Sequence, residues 1–107
     1  MPERIPGSAT IEFVGELTIR SAVESRERLL AALDGASTVW ANISPDTVID
    51  LTFVQLIEAA RRTAREAGGE FRLSEPAAGQ LRETLARGGF LATSQDREFW
   101  LLQSEVC

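Results

Sequence analysis

Few side chains in this sequence can move a proton or attack a carbon. Histidine and tyrosine are absent, and all eleven basic residues are arginine. Arginine stays protonated and makes a poor proton shuttle. Without histidine, neither a Ser-His-Asp nor a Cys-His nucleophile pair can form within the chain. The one cysteine, Cys107, cannot build a thiolate metal cage or an internal disulfide. General acid–base chemistry would fall to carboxylates such as Glu12, Glu16 and Asp50, and a working pair needs a cleft between its members. No glycine-rich run precedes a helix to cradle a phosphate. The expectation is a binding module and not an enzyme, with no cofactor and no metal.

Recognition chemistry concentrates at one place. Asp50 precedes a helical pattern, where a carboxylate meets free backbone amides, so a turn role is favoured over a functional one. Thr52-Phe53-Val54-Gln55 matches a capping box, and a threonine N-cap stabilises a helix by about 1 kcal/mol. Leu51 between them is either a core residue or an apolar contact for a partner. Docking is preferred, because the stripe that starts at Phe53 already fills the inward face. Arg61, Arg62 and Arg65 read as a solvated helix face near Glu58 and Glu66. Trp40 and Trp100 read as sheet residues, with Trp40 partly exposed on an open face.

These groups must be held by elements, which the patterning supplies. Ala9–Val14 alternates Ile11 and Phe13 with polar residues, as a half-buried strand does. Gly15 interrupts it, and Glu16–Ile19 resumes with Leu17 and Ile19 on one face. Ser21-Ala22-Val23-Glu24 matches a capping box for a first helix, with Ala22, Val23, Leu29, Leu30 and Leu33 inward and Asp34-Gly35 as its stop. Thr38–Ile43 is a strand, and Ser44-Pro45-Asp46-Thr47 a turn. Phe53, Leu56, Ile57, Ala60 and Ala64 form the cleanest helical stripe, ended by Gly68-Gly69. Glu70–Ser74 is a short strand. Pro76, Ala77, Leu81 and Leu85 mark a third helix, weakened by Gly79 and closed by Gly88-Gly89. Glu98–Gln103 is expected as a last strand. The resulting order, β-β-α-β-α-β-α-β, predicts right-handed crossovers, a parallel or mixed sheet, and helices packed mainly on one face.

The chain of 107 residues, 44% hydrophobic and 25% charged, has the make-up of one compact domain. Residues 1–8 read as a loose lead-in and 104–107 as a short tail. A net charge of −5 argues against nucleic acid as the partner. No apolar run approaches the ~20 residues that span a bilayer. No export signal is read in Met1–Thr10, so a cytoplasmic location is expected.

Gly15-Glu16-Leu17-Thr18 and Asp50-Leu51-Thr52-Phe53-Val54 carry a resemblance. The chain resembles the STAS domain, the module of anti-sigma factor antagonists that also ends sulphate transporters. There a strand pair ends in Gly-Glu-Leu-Asp, and an Asp-Ser-Ser-Gly-Leu segment opens the second helix after an apolar pair, here Val48-Ile49. Gly68-Gly69 and Glu75-Pro76-Ala77 also fall at the family's usual places. The resemblance runs from about Thr10 to Leu102.

The resemblance implies an α/β STAS-like fold and a regulatory protein-binding role. In the family, the loop before the second helix and the start of that helix dock onto a partner. Carried over, the docking residues are Asp46, Thr47, Asp50, Leu51, Phe53 and Gln55. The family's phospho-acceptor serine is Leu51 here, which has no hydroxyl, and the motif glycine is Phe53. Thr52 is then the phospho-acceptor candidate, rotated ~100° from the usual site. Implied partners are an anti-sigma factor kinase, a chemosensory kinase or a transporter ATPase. The alternative to a signalling antagonist or adaptor is a non-phosphorylated structural subunit of a transporter-ATPase or scaffold complex.

Overall fold

The computed structural model describes residues 8–103. Residues 1–7 of the lead-in expected over 1–8 and the tail over 104–107 lie outside them, and Ser8 belongs to a strand. Among the described residues five strands are formed: β1 (Ser8–Phe13), β2 (Glu16–Leu17), β3 (Thr38–Ile43), β4 (Val48–Ile49) and β5 (Glu70–Leu73). Four α-helices accompany them: α1 (Ala22–Gly35), α2 (Leu51–Glu66), α3 (Gly79–Arg87) and α4 (Ser94–Leu101), with a 3-10 turn at Ile19–Ser21.

Among the described residues all strand pairings are parallel. β3 lies between β1 and β5, and β2 pairs with β4. The two sheets are one bent ladder. Phe13 pairs with Ile43 and Glu16 with Val48, so two intervening residues on one side of the bend oppose four on the other. Ser44 N donates to Phe13 O and Val48 N to Gly15 O, which carries the ladder across the bend. Gly15 sits at the bend with φ +81°, a conformation that glycine adopts without strain.

The period-2 pattern places Ile11, Phe13, Val39, Ala41, Phe71 and Leu73 on one buried face. α1 and α2 pack against each other on that side. The stripe of α2 buries Phe53, Ile57, Ala60 and Ala64 as its spacing predicts. Phe13 meets Phe53 edge-on at 5.1 Å between ring centroids, a geometry worth ~1 kcal/mol beyond burial. Thr10, Glu12, Trp40 and Arg72 occupy the opposite, uncovered face. The expected one-sided covering is thus observed, with Trp40 on the open side at 36% exposure.

Three expectations need correction. Glu98–Gln103 is not a strand: Phe99, Trp100 and Leu101 end α4, which starts where Thr93 Oγ1 accepts from Asp96 N at 3.0 Å. Trp100 is fully buried there and its Nε1 donates to Glu58 Oε2 at 2.8 Å, joining α4 to α2. Second, Ser21 makes no side-chain cap to α1. It pairs instead with Thr18: Ser21 Oγ accepts from Thr18 N at 3.1 Å, and Thr18 Oγ1 accepts from Arg20 N at 3.2 Å. Third, α1 buries Ser25 and Leu29, with Ala32 and Leu33 partly covered, while Val23 and Leu30 are exposed. Val23 and Leu30 each lie one residue step, ~100°, round the helix from the covered stripe.

Candidate docking surface

Asp50 organises the candidate site. It is the N-cap of α2, with extended backbone, and its Oδ1 accepts from Phe53 N at 3.3 Å. Its Oδ2 accepts from Ile19 N at 2.9 Å, and its own N–H donates to Leu17 O at 3.3 Å. One residue therefore ends the β4 ladder, starts α2 and fixes the 3-10 turn. The cap expected at Thr52 is corrected: the helix begins at Leu51, so Thr52 is already its second residue. Thr52 is half-buried, and its hydroxyl has no hydrogen-bond partner among the described residues.

Leu51 is the first residue of α2 and is 46% exposed, so it is not a core residue. Asp46 and Gln55 are exposed as well. Phe53 and Thr47, carried over as contacts, are buried at 1% and 4%. Phe53 packs on Phe13, and Thr47 Oγ1 donates to Ser44 O at 3.0 Å. Both support the surface from behind and present no side chain to a partner.

The sequence did not disclose the apolar rim. Val14, Ile19, Val23 and Val48 are exposed along with Leu51, five of eight large apolar side chains that are exposed among the described residues. Backbone hydrogen bonds draw them toward one end of the sheet. Ile19 is tied to Asp50, next to Leu51. Val48 is tied to Gly15, next to Val14. Val23 follows Ile19 by one helical turn. Exposed apolar groups gathered this way mark interaction surfaces more often than isolated ones do.

The loop beside this rim is held by α3. Gln80 Oε1 accepts from Ile49 N at 3.0 Å, taking the bond that a further strand would supply. Gly79 has φ +59°, and a Cβ there would lie 2.7 Å from the Pro45 carbonyl oxygen. The glycine read as a weak point of α3 is thus its first residue and its close contact with the loop.

The basic patch divides. Arg61 is mostly covered, 3.5 Å from Glu58 and 3.4 Å from Asp96, with its guanidinium 4.5 Å from the Phe99 ring centroid. It fastens α2 to α4 and does not form part of a solvated face. Arg62 and Arg65 are exposed. Among the described residues no three of the possible ligands (His, Cys, Asp, Glu) come together to hold a metal ion. No helix among them is long and apolar enough to cross a membrane.

The class of protein now follows. The family model of the STAS domain matches residues 1–101, and the chain belongs to that family. A solved structure of the anti-sigma factor antagonist SpoIIAA in its unphosphorylated form is similar, with 19% identity over 78% of each chain and a TM-score of 0.58. At that identity the likeness speaks for the fold. No curated protein matches the sequence.

Proposed function

We propose that this chain is a non-enzymatic docking module, antagonist-like or an adaptor, in a bacterial partner-switching or chemosensory pathway. The observation that carries the reading is Leu51, exposed at the mouth of α2 beside a fixed carboxylate and within an apolar rim. The partner is a protein, for which an anti-sigma factor kinase or a chemosensory kinase is the class in view. The contact set is Leu51 with Asp46, Asp50 and Gln55, extended by Ile19, Val23 and Val48. The module works by occupancy, covering the partner's surface without altering a bond.

Thr52 is the proposed point of control. Its hydroxyl is uncommitted, and it sits in the first turn of α2, where the helix dipole and free amides favour phosphate. A phosphate there brings nearly two negative charges into the apolar rim beside Asp50, which opposes docking through desolvation and repulsion.

The test is purification of the tagged chain and its Leu51→Asp variant from its own cells, with mass spectrometry of what stays bound. A kinase-like partner on the parent chain and its loss from the variant support the reading. Equal retention on both would sink it. Leu51 in the acceptor position also suits a subunit that is never switched. That reading predicts a transporter ATPase or scaffold partner, bound whatever the cell state and indifferent to Thr52→Ala.

A further inference from the structure

A groove of about 580 Å³ runs along the edge of β5, and none of its lining residues belongs to the Leu51 surface. Phe71 and Leu73 line it although their side chains are buried at 5% and 2%. What they offer is main chain. Glu70 N donates to Ser37 O and Ser74 N to Ala41 O, so alternate residues of β5 bond inward to β3. The N–H and C=O groups of Phe71 and Leu73 therefore point outward, and among the described residues β5 has no strand on that side. Trp40 and Arg72 flank the edge on the open face of the sheet, and Arg65 and Phe99 on the helix side.

Charge in the groove is unevenly spent. Arg72 is bound by Glu70 at 2.7 Å, and Arg61 by Glu58 and Asp96. Arg65 is exposed and has no carboxylate partner among the described residues. We propose that this edge is a second docking site, which takes an extended peptide segment of a partner as an added strand on β5. The fit is to a segment with an apolar residue against Phe99 and, on the same face, a carboxylate for Arg65. Main-chain pairing supplies the affinity and the alternate side chains supply the choice of partner. This site is independent of the Leu51 surface, so either can fail without the other.

The probe is a displayed library of short random peptides, selected on the full chain. The winners are then resynthesised with alternate backbone amides N-methylated. Selected peptides should slow hydrogen exchange at the Phe71 and Leu73 amides. N-methylation on the edge-facing side should weaken binding about tenfold or more, as should Arg65→Glu in a variant whose circular dichroism is unchanged. The proposal is overturned if no peptide is enriched, or if the protected amides are those of residues 48–55. Indifference to N-methylation or to Arg65→Glu overturns it as well. So does protection of Phe71 and Leu73 by self-association alone, which would make the edge an interface between two copies.

Discussion

The carboxylate of Asp50 accepts the backbone N–H of Ile19 at 2.9 Å across thirty-one residues of sequence, and in the same position caps α2 through Phe53 N. An N-cap usually serves its own helix. Here one side chain also sets where the 3-10 turn sits against that helix, and so where Ile19 stands relative to Leu51.

Replacing Asp50 by alanine should therefore cost more than an ordinary cap. A lost cap costs about 1 kcal/mol, and loss of the second hydrogen bond, from Ile19 N, adds a fraction of that, so the expected destabilisation is about 1–2 kcal/mol. Urea unfolding of Asp50→Ala against Asp50→Asn measures it, with the asparagine keeping part of the stability. No change in either variant would mean that the two bonds do not form in solution.

Leu51→Asp should leave the melting temperature within a degree or two, because the side chain is half in water. Partner affinity should fall by about thirtyfold or more, the scale of a hot-spot residue. Calorimetry with the captured partner reads both. A large drop in melting temperature with binding intact would put Leu51 in the core instead.

Gly79→Ala is expected to destabilise by about 1–3 kcal/mol, since the residue combines a positive φ with contact on the Pro45 carbonyl. Gly35→Ala is the control. Gly35 ends α1 with open space around it, and alanine there should be neutral or stabilising by up to ~1 kcal/mol. Thermal melts of the two variants should move apart, and parallel shifts would refute the close approach.

Trp100→Phe removes the Nε1–H bond to Glu58 Oε2 and should cost about 1–2 kcal/mol. It also leaves Trp40 as the single tryptophan. The remaining emission should shift to longer wavelength and be quenched by iodide, because Trp40 is partly exposed and Trp100 is not. Blue-shifted, unquenched emission would place Trp40 inside.

Much of the fold could be read directly because short-range periodicity encodes it. Ile11 with Phe13, Val39 with Ala41, and the stripe from Phe53 to Ala64 each declare a face within a few residues. α4 escaped for the same reason: four consecutive apolar residues, Phe99 to Leu102, have no period to read. The usable signal was upstream, in the Thr93-to-Asp96 cap. The two-residue strand β4 was too short to show alternation, and it exists through pairing with β2.

The candidate site was legible in part. Asp50, Leu51 and Thr52 stood out by type and place. Which of Asp50 and Thr52 caps α2 depends on where the ladder with β2 ends, and that is a long-range fact. Alternation puts Ile19 on one face with Leu17, and the apolar pattern of α1 puts Val23 inward. Their exposure depends on the bend at Gly15 and the rotation of α1, neither of which local sequence encodes.

The Glu58–Trp100 bond also has a consequence for the order of events during folding. Its partners are forty-two residues apart, and the Trp100 carbonyl further accepts from Ala77 N at 2.8 Å. β1, β3 and α2 can come together without residue 100, but the Trp100 contact with Glu58 on α2 cannot form until α4 is in place. Contacts of such separation form late because a long loop must close first. A chain truncated near residue 90 should carry an open flank on α2.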